Sequence, residues 1–139
     1  MKDKPTVRVL VVDDYENWRV LLKSILEDDG HEVVTASTHS EAKEELRDST
    51  FDVVILDMRL VDDQKYNVEG MKLLKKIKGK APSTGAIILT GYPDPLHESR
   101  ALSTYGADAY LSKVPDSIDF DIEAFSELVV TLAQQADNR

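Results

Sequence analysis

Five short apolar runs, separated by stretches with a helical pattern, constrain the fold of this chain most strongly. The runs are VRVLVV (7–12), EVVTA (32–36), DVVIL (52–56), AIILT (86–90) and AYLS (109–112). They are rich in β-branched residues and mostly lack polar alternation, which predicts strands covered on both faces, as in a parallel sheet. Because a helical segment follows each strand, the order favours a doubly wound α/β sheet with helices on both faces.

Between these runs, apolar residues recur at the spacing of amphipathic helices. The segments with this pattern are 16–28, 38–48, 70–78, 94–105 and 119–136. Thr38 and Glu41 have the spacing of a capping box at the start of the second segment. Pro95 near the start of the fourth segment and Gly106 after its end are typical helix boundaries.

In the first and last segments the apolar stripe also predicts which side chains face the sheet. The stripe of the first segment consists of Trp18, Leu21, Leu22 and Ile25. The stripe of the last consists of Ile122, Phe125, Val129 and Leu132. We expect both sets in the core.

The composition of the chain excludes several classes of protein. The 139 residues suit one domain, and the formal net charge is -9. An acidic surface repels phosphate backbones and anionic lipids, so we expect neither direct nucleic-acid binding nor membrane insertion. The chain has no cysteine, which excludes disulfides and zinc–thiolate sites. The first residues, MKDKPTV, contain no apolar signal segment, which favours a cytoplasmic protein.

Residues able to do chemistry follow four of the five predicted strands. Asp13 and Asp14 follow the first strand, Asp57 the third, Thr90 ends the fourth, and Lys113 follows the fifth. Taken alone, each residue has an ordinary structural explanation. Asp14, for example, could cap the next helix. In a parallel sheet, however, all carboxyl ends lie along one edge, where ligands bind. The coincidence therefore favours one common site.

The chemistry of this set indicates a hard cation and a phosphoryl group. Three carboxylates cannot stay close together and ionised without a counter-charge. Mg²⁺ prefers carboxylate oxygens, keeps several waters and accepts phosphate oxygens, and the ammonium of Lys113 would neutralise further charge. The chain has no glycine-rich phosphate loop, so a tightly held nucleotide is not indicated.

At this point the sequence resembles the receiver domains of two-component response regulators. The resembling stretches are VVDD (11–14), VVILDMRL (53–60), IILTGY (87–92) and AYLSK (109–113). The resemblance implies a three-layer (βα)5 fold of the flavodoxin-like, CheY-like type, with strand order 2-1-3-4-5. We expect one receiver domain over residues 1–139, with its core at about 6–135 and no output domain.

The resemblance implies a role for each residue of the site. Asp57 would be the phosphoacceptor, attacking a phosphohistidine of a sensor histidine kinase or phosphotransfer protein. Asp14 and Asp57 would bind Mg²⁺ directly with Asp13 assisting, and the backbone carbonyl of Arg59 would be a further ligand. Lys113 would contact the phosphoryl oxygens.

The resemblance also implies a conformational switch. Thr90 would move its hydroxyl onto the phosphoryl group, and Tyr110 would turn into the space that is vacated. The fourth helix, fifth strand and fifth helix would then change as a surface and control a downstream protein or a homodimer. The chain would be a signalling switch and not a turnover enzyme, although it would promote its own phosphorylation and dephosphorylation.

The sequence departs from the family pattern at three places. Val114 stands between Lys113 and Pro115, where receivers usually have a Lys-Pro bond, so we expect a reshaped loop. The loop after Asp57 is longer than usual around residues 61–67. The Arg59 side chain, on the rim of the pocket, is expected to affect the lifetime of the phosphoryl group.

Two alternatives stay open. A receiver-like module could bind partners without phosphorylation, but its usual mark is a missing acid or lysine, and the set here is complete. A phosphatase with an aspartyl nucleophile would carry a second aspartate two residues after the first, where this chain has Arg59.

Overall fold

A parallel sheet of five strands lies at the centre of the computed structural model, which describes residues 6–57, 69–91, 95–113 and 122–137. Its strands are β1 (Arg8–Val12), β2 (Glu32–Ala36), β3 (Val53–Leu56), β4 (Gly85–Thr90) and β5 (Ala109–Ser112). Its helices are α1 (Glu16–Asp28), α2 (His39–Asp48), α3 (Glu69–Lys80), α4 (Pro95–Ser103) and α5 (Ile122–Asp137). The strand order is β2-β1-β3-β4-β5. The fold class and the strand order implied by the resemblance are confirmed.

Both faces of the sheet are buried, which explains why the strands lack polar alternation. In β1, Leu10 and Val12 pack on one side in a core with α2, α3 and α4. Val9 and Val11 pack on the other side in a core with α1 and α5. The α2–α3–α4 layer and the α1–α5 layer therefore enclose the sheet, and together they make the three layers of the fold.

Two of the side chains expected in the core lie at the surface. In α1 the buried residues are Leu22 and Leu26, while Leu21 is 40% exposed, so the buried face is rotated from the predicted stripe. In α5 Ile122 is 50% exposed because it opens the helix, and burial begins at Phe125. Among the helices that the structure describes, none is long and apolar enough to cross a membrane.

The predicted helix boundaries at α2 and α4 are present. The Thr38 hydroxyl accepts a hydrogen bond from the Glu41 backbone N–H at 3.0 Å. The Glu41 carboxylate accepts bonds from the backbone N–H and the hydroxyl of Ser37, at 2.7 and 2.9 Å. These bonds lower the pKa of the Glu41 carboxyl below its ordinary value. Gly106, after α4, has φ +85°, a left-handed conformation that favours glycine.

An ion pair anchors the start of β5, the strand that leads to Lys113. The Asp108 carboxylate accepts hydrogen bonds from the Ala86 backbone N–H at 2.9 Å and from Lys78 Nζ at 3.0 Å. Lys78 Nζ also donates to the Thr84 carbonyl at 2.6 Å. These contacts join α3, β4 and β5 at the amino edge of the sheet and hold β5 in register.

The surroundings of Gly85 and Gly79 predict opposite effects of replacing each glycine with alanine. A Cβ atom at Gly85 would lie 2.9 Å from Leu132 Cβ, so Gly85→Ala has to push α5 away. We expect it to lower the free energy of unfolding by about 1–3 kcal/mol. Gly79, in α3, has nothing within 4 Å of the same position. Gly79→Ala is therefore expected to stabilise the protein by up to about 1 kcal/mol.

Urea unfolding followed by circular dichroism measures both free energies. A Gly85→Ala variant as stable as the wild type would contradict the close packing of α5 against the first residue of β4.

Candidate functional site

Three carboxylates lie together at the carboxyl edge of the sheet. Asp13 and Asp14 follow β1, and Asp57 follows the neighbouring strand β3. One carboxylate oxygen of each lies within 4.8 Å of the others. Asp13 and Asp57 are buried, at 2% and 6% exposure, and Asp14 is half-buried. The parallel pairing of β1 with β3 thus brings residues far apart in the sequence to one place.

Backbone hydrogen bonds fix the residues that carry this chemistry. The Asp57 N–H donates to the Val12 carbonyl at 2.8 Å, and the Asp13 N–H donates to the Ala36 carbonyl at 3.1 Å. The Lys113 N–H donates to the Thr90 carbonyl at 2.7 Å. Each residue stands one position past its strand and still takes part in the ladder. The apolar runs therefore hold these polar groups rigidly.

The ammonium of Lys113 lies between two of the acids. Its Nζ atom is 2.6 Å from Asp13 Oδ2 and 3.1 Å from Asp57 Oδ2, and the side chain is 5% exposed. A buried carboxylate is costly unless it is paired, so the two ion pairs explain how these acids can be buried. With Asp14 beside them, the described residues of the site include three carboxylates and the Lys113 ammonium, which leaves an excess of negative charge among them.

Asp13 has partners at both of its carboxylate oxygens and at its backbone carbonyl. Its Oδ1 atom accepts a hydrogen bond from the Tyr15 backbone N–H at 2.9 Å, in addition to the contact of Oδ2 with Lys113. Its carbonyl accepts a bond from Arg19 Nη1 at 2.8 Å. Both carboxylate oxygens of Asp13 thus have partners within the protein.

Two aromatic rings next to Lys113 were not expected from the sequence. The Nζ atom lies 5.6 Å from the centre of the Tyr15 ring and 5.3 Å from that of Trp18, within the range of cation–π attraction. Trp18 also packs against the core of the α1–α5 layer, as its place in the α1 stripe predicts. The signal that could have found it is position, because a residue in the first turn of α1 lies just past the end of β1.

Of the remaining residues predicted from the sequence, some are placed by the structure and others lie outside the described part of the chain. Thr90 is fully buried at the end of β4. Tyr110 is half-buried and packs against the core of the α2–α3–α4 layer. The register pairs Thr90 with Ser112 and Ile88 with Tyr110, which puts Thr90 and Tyr110 on one face of the sheet. Arg59 lies outside the described residues, as do Val114, Pro115 and residues 61–67.

The donor set at this edge fits Mg²⁺. This ion takes oxygen ligands at about 2.1 Å, so oxygens around one ion lie roughly 3–4 Å apart. The carboxylate oxygens of Asp13, Asp14 and Asp57 already lie within 4.8 Å of each other, and small side-chain movements would bring them to that geometry. The excess negative charge also favours a divalent cation.

Comparison with known proteins assigns the family. The model of the response regulator receiver domain matches residues 9–121. The chain therefore belongs to the response regulator receiver domain family, whose members act in two-component signal transduction and bind Mg²⁺ in an acidic pocket.

Individual relatives agree with this assignment. The transcriptional regulatory protein ZraR of Escherichia coli K12 is 33% identical over 115 residues, which cover 83% of this chain and 24% of ZraR. The chain thus spans about a quarter of the length of that relative. ZraR is a transcriptional regulatory protein by name, so the expectation that this chain binds no nucleic acid has no support from its relatives.

Solved structures share the fold. A CheY-like receiver domain protein from Methanospirillum hungatei JF-1 has a TM-score of 0.80 and 28% identity, covering 97% of this chain and all of the other. The response regulator TrrA of Thermotoga maritima, solved in complex with Mg²⁺ and BeF, has a TM-score of 0.73 and 32% identity, covering 91% of this chain and 99% of TrrA.

Titration with Mg²⁺ is expected to change the fluorescence of Trp18, which is the only tryptophan of the chain. A divalent cation among the carboxylates competes with the Lys113 ammonium, and the ammonium then moves relative to the indole ring. Asp14→Asn removes one ligand charge and should weaken the apparent affinity about tenfold, or about 1.4 kcal/mol.

Equal ionic strength of KCl is the control for screening. A wild-type signal that does not respond to Mg²⁺, or identical titration curves for wild type and Asp14→Asn, would contradict this reading of the site.

Proposed function

We propose that this receiver domain is a phosphorylation-activated switch whose phosphoacceptor is Asp57. The observation that supports this most is the Lys113 ammonium, which lies between the buried carboxylates of Asp13 and Asp57. A carboxylate with a buried cation within hydrogen-bond distance is placed to receive a group with several negative oxygens. The half-buried Asp14 beside them provides the further charge that a metal ion needs.

The proposed step is a transfer from a phosphohistidine of a sensor histidine kinase or phosphotransfer protein. An Asp57 carboxylate oxygen forms the bond to phosphorus while the phosphorus–nitrogen bond of the phosphohistidine breaks. The electron pair of the broken bond returns to the imidazole nitrogen. The product is an aspartyl phosphate on this chain and a free histidine on the donor.

The other residues of the site position the reacting groups and neutralise the charge of the phosphoryl oxygens. Lys113 leaves Asp57 for the transferred phosphoryl oxygens and keeps its ion pair with Asp13. Asp13, Asp14, Asp57 and the backbone carbonyl of Arg59 would hold Mg²⁺, which when bound neutralises charge on the phosphoryl oxygens. The catalysis consists of positioning and charge compensation, and hydrolysis of the acyl phosphate resets the domain. The protein is thus modified once per signal and is not a turnover enzyme.

The proposed output is a change on the surface of α4, β5 and α5. The Thr90 hydroxyl moves to the phosphoryl group, and Tyr110, on the same face of the sheet, fills the space. Among the described residues of α4, Ala101 is the buried one, while Leu96 and Leu102 are 58% and 41% exposed. A helix with so little buried surface can shift at low cost, which suits a surface that engages a downstream partner or a second copy.

Incubation with Mg²⁺ and acetyl phosphate tests the phosphoacceptor. We expect intact mass spectrometry to show one added phosphoryl group on the wild type and none on Asp57→Asn, because the amide cannot attack phosphorus. Asp28→Asn changes an exposed aspartate at the end of α1 and is the matched control, expected to be labelled like the wild type.

Labelling that survives Asp57→Asn would overturn the assignment. An unlabelled wild type would favour the module that binds without phosphorylation, and sustained hydrolysis of acetyl phosphate would favour a phosphatase.

In the labelled sample, amide hydrogen exchange should change in α4 and β5, and Thr90→Ala should be labelled without that change.

A further inference from the structure

A cavity of about 400 Å³ lies between α2 and α3, at the amino edge of the sheet. Phe51, in its lining, precedes β3, whereas Asp57 follows β3 at the opposite edge. Six residues of extended chain span roughly 20 Å, so the cavity is well separated from the carboxylate cluster. It is therefore separate from the site of the proposed switch, which does not use it.

The floor of the cavity is apolar. Phe51, Leu73 and Ile77 are buried, at 6%, 1% and 4% exposure, and Leu46 of α2 is half-buried beside them. The guanidinium of Arg8 stacks on the Phe51 ring at 4.6 Å and holds it in place. The floor can thus receive a compact apolar group without large rearrangement.

The rim of the cavity is basic. Lys43 and Arg47 are one turn apart on α2, and Lys76 and Lys80 are one turn apart on α3. All four residues are exposed, and none of the described residues that line the cavity carries a carboxylate. Because the chain as a whole has a net charge of -9, four cations around one cavity run against the composition of the protein.

The helix dipole explains only two of the four basic residues on this rim. Cations in the last turn of a helix interact favourably with its dipole, which accounts for Arg47 and Lys80. The same effect falls off within the last turn and does not account for Lys43 or Lys76. The two helices therefore direct more positive charge toward the cavity than their own stability requires.

We propose that this cavity binds a small amphipathic anion, with a compact apolar body and one carboxylate or phosphate group. The apolar body would lie on the floor formed by Leu46, Phe51 and Ile77, and the anionic group would lie among the basic residues of the rim. A volume of about 400 Å³ is in the range of small-molecule sites. The concave shape, with cations around an apolar floor, favours a small anionic molecule over the flat face of a protein partner.

Binding of 2-naphthoate, a bicyclic aromatic carboxylate, tests the proposal on the full chain. In ¹⁵N–¹H correlation spectra we expect saturable shifts at residues of α2 and α3 that line the cavity. The neutral analogue 2-naphthylmethanol should bind more weakly because it lacks the charge. The double variant Lys43→Gln/Lys76→Gln should weaken binding of 2-naphthoate about threefold to tenfold, as expected for two partly solvated ion pairs.

Lys72→Gln/Lys75→Gln is the matched control, because it removes two exposed charges of α3 outside the lining and should leave the affinity unchanged. Ala81→Trp fills the cavity with the rim intact and should abolish binding, while Asp57 should still be phosphorylated. Absent shifts, shifts at the carboxyl edge, or equal weakening by the two double variants would overturn the proposal. So would shifts at α2 and α3 with an acidic peptide but none with 2-naphthoate.

Discussion

The buried ion pairs of Lys113 are the interaction on which the carboxyl edge of this sheet depends. Asp13 and Asp57 come from the neighbouring strands β1 and β3, whereas the lysine follows β5 and reaches past β4. One ammonium therefore ties three separate segments together and compensates charges that the fold would otherwise not tolerate. Under the proposed function the same ammonium receives the phosphoryl oxygens, so the contact that stabilises the resting domain would also prepare the transfer.

The strands and the acidic cluster could be predicted from the sequence because both follow from simple periodicity. Runs such as VVIL predict strands buried on both faces, and parallel pairing then places Asp57 beside Asp13. Contacts that depend on the rotation of a helix could not be predicted. Leu21 and Leu26 lie on either side of Leu22 around α1, and only packing on the sheet decides which of the two is buried. The rings of Tyr15 and Trp18 near Lys113 depend on the same rotation.

The two sites at opposite edges of the sheet differ in charge. The carboxyl edge gathers carboxylates around one ammonium, and the amino edge carries a basic rim around an apolar cavity. Between them, every residue of β3 and β4 is buried. The α2–α3–α4 layer meets both regions, since α2 and α3 form the cavity while α4 belongs to the proposed output surface. The cavity at the amino edge could not be inferred from periodicity because it arises from the space left between two helices.

The stability of Lys113→Met, measured by urea unfolding with and without Mg²⁺, tests most directly that one cation compensates the buried acids. Methionine keeps the buried stem and removes the charge. Without Mg²⁺ the variant should be less stable than the wild type by about 3 kcal/mol, because two buried carboxylates lose their partner. Mg²⁺ should stabilise the variant more than the wild type, since the ion no longer competes with the ammonium. Equal stability of the two proteins, with the same response to Mg²⁺, would contradict the account.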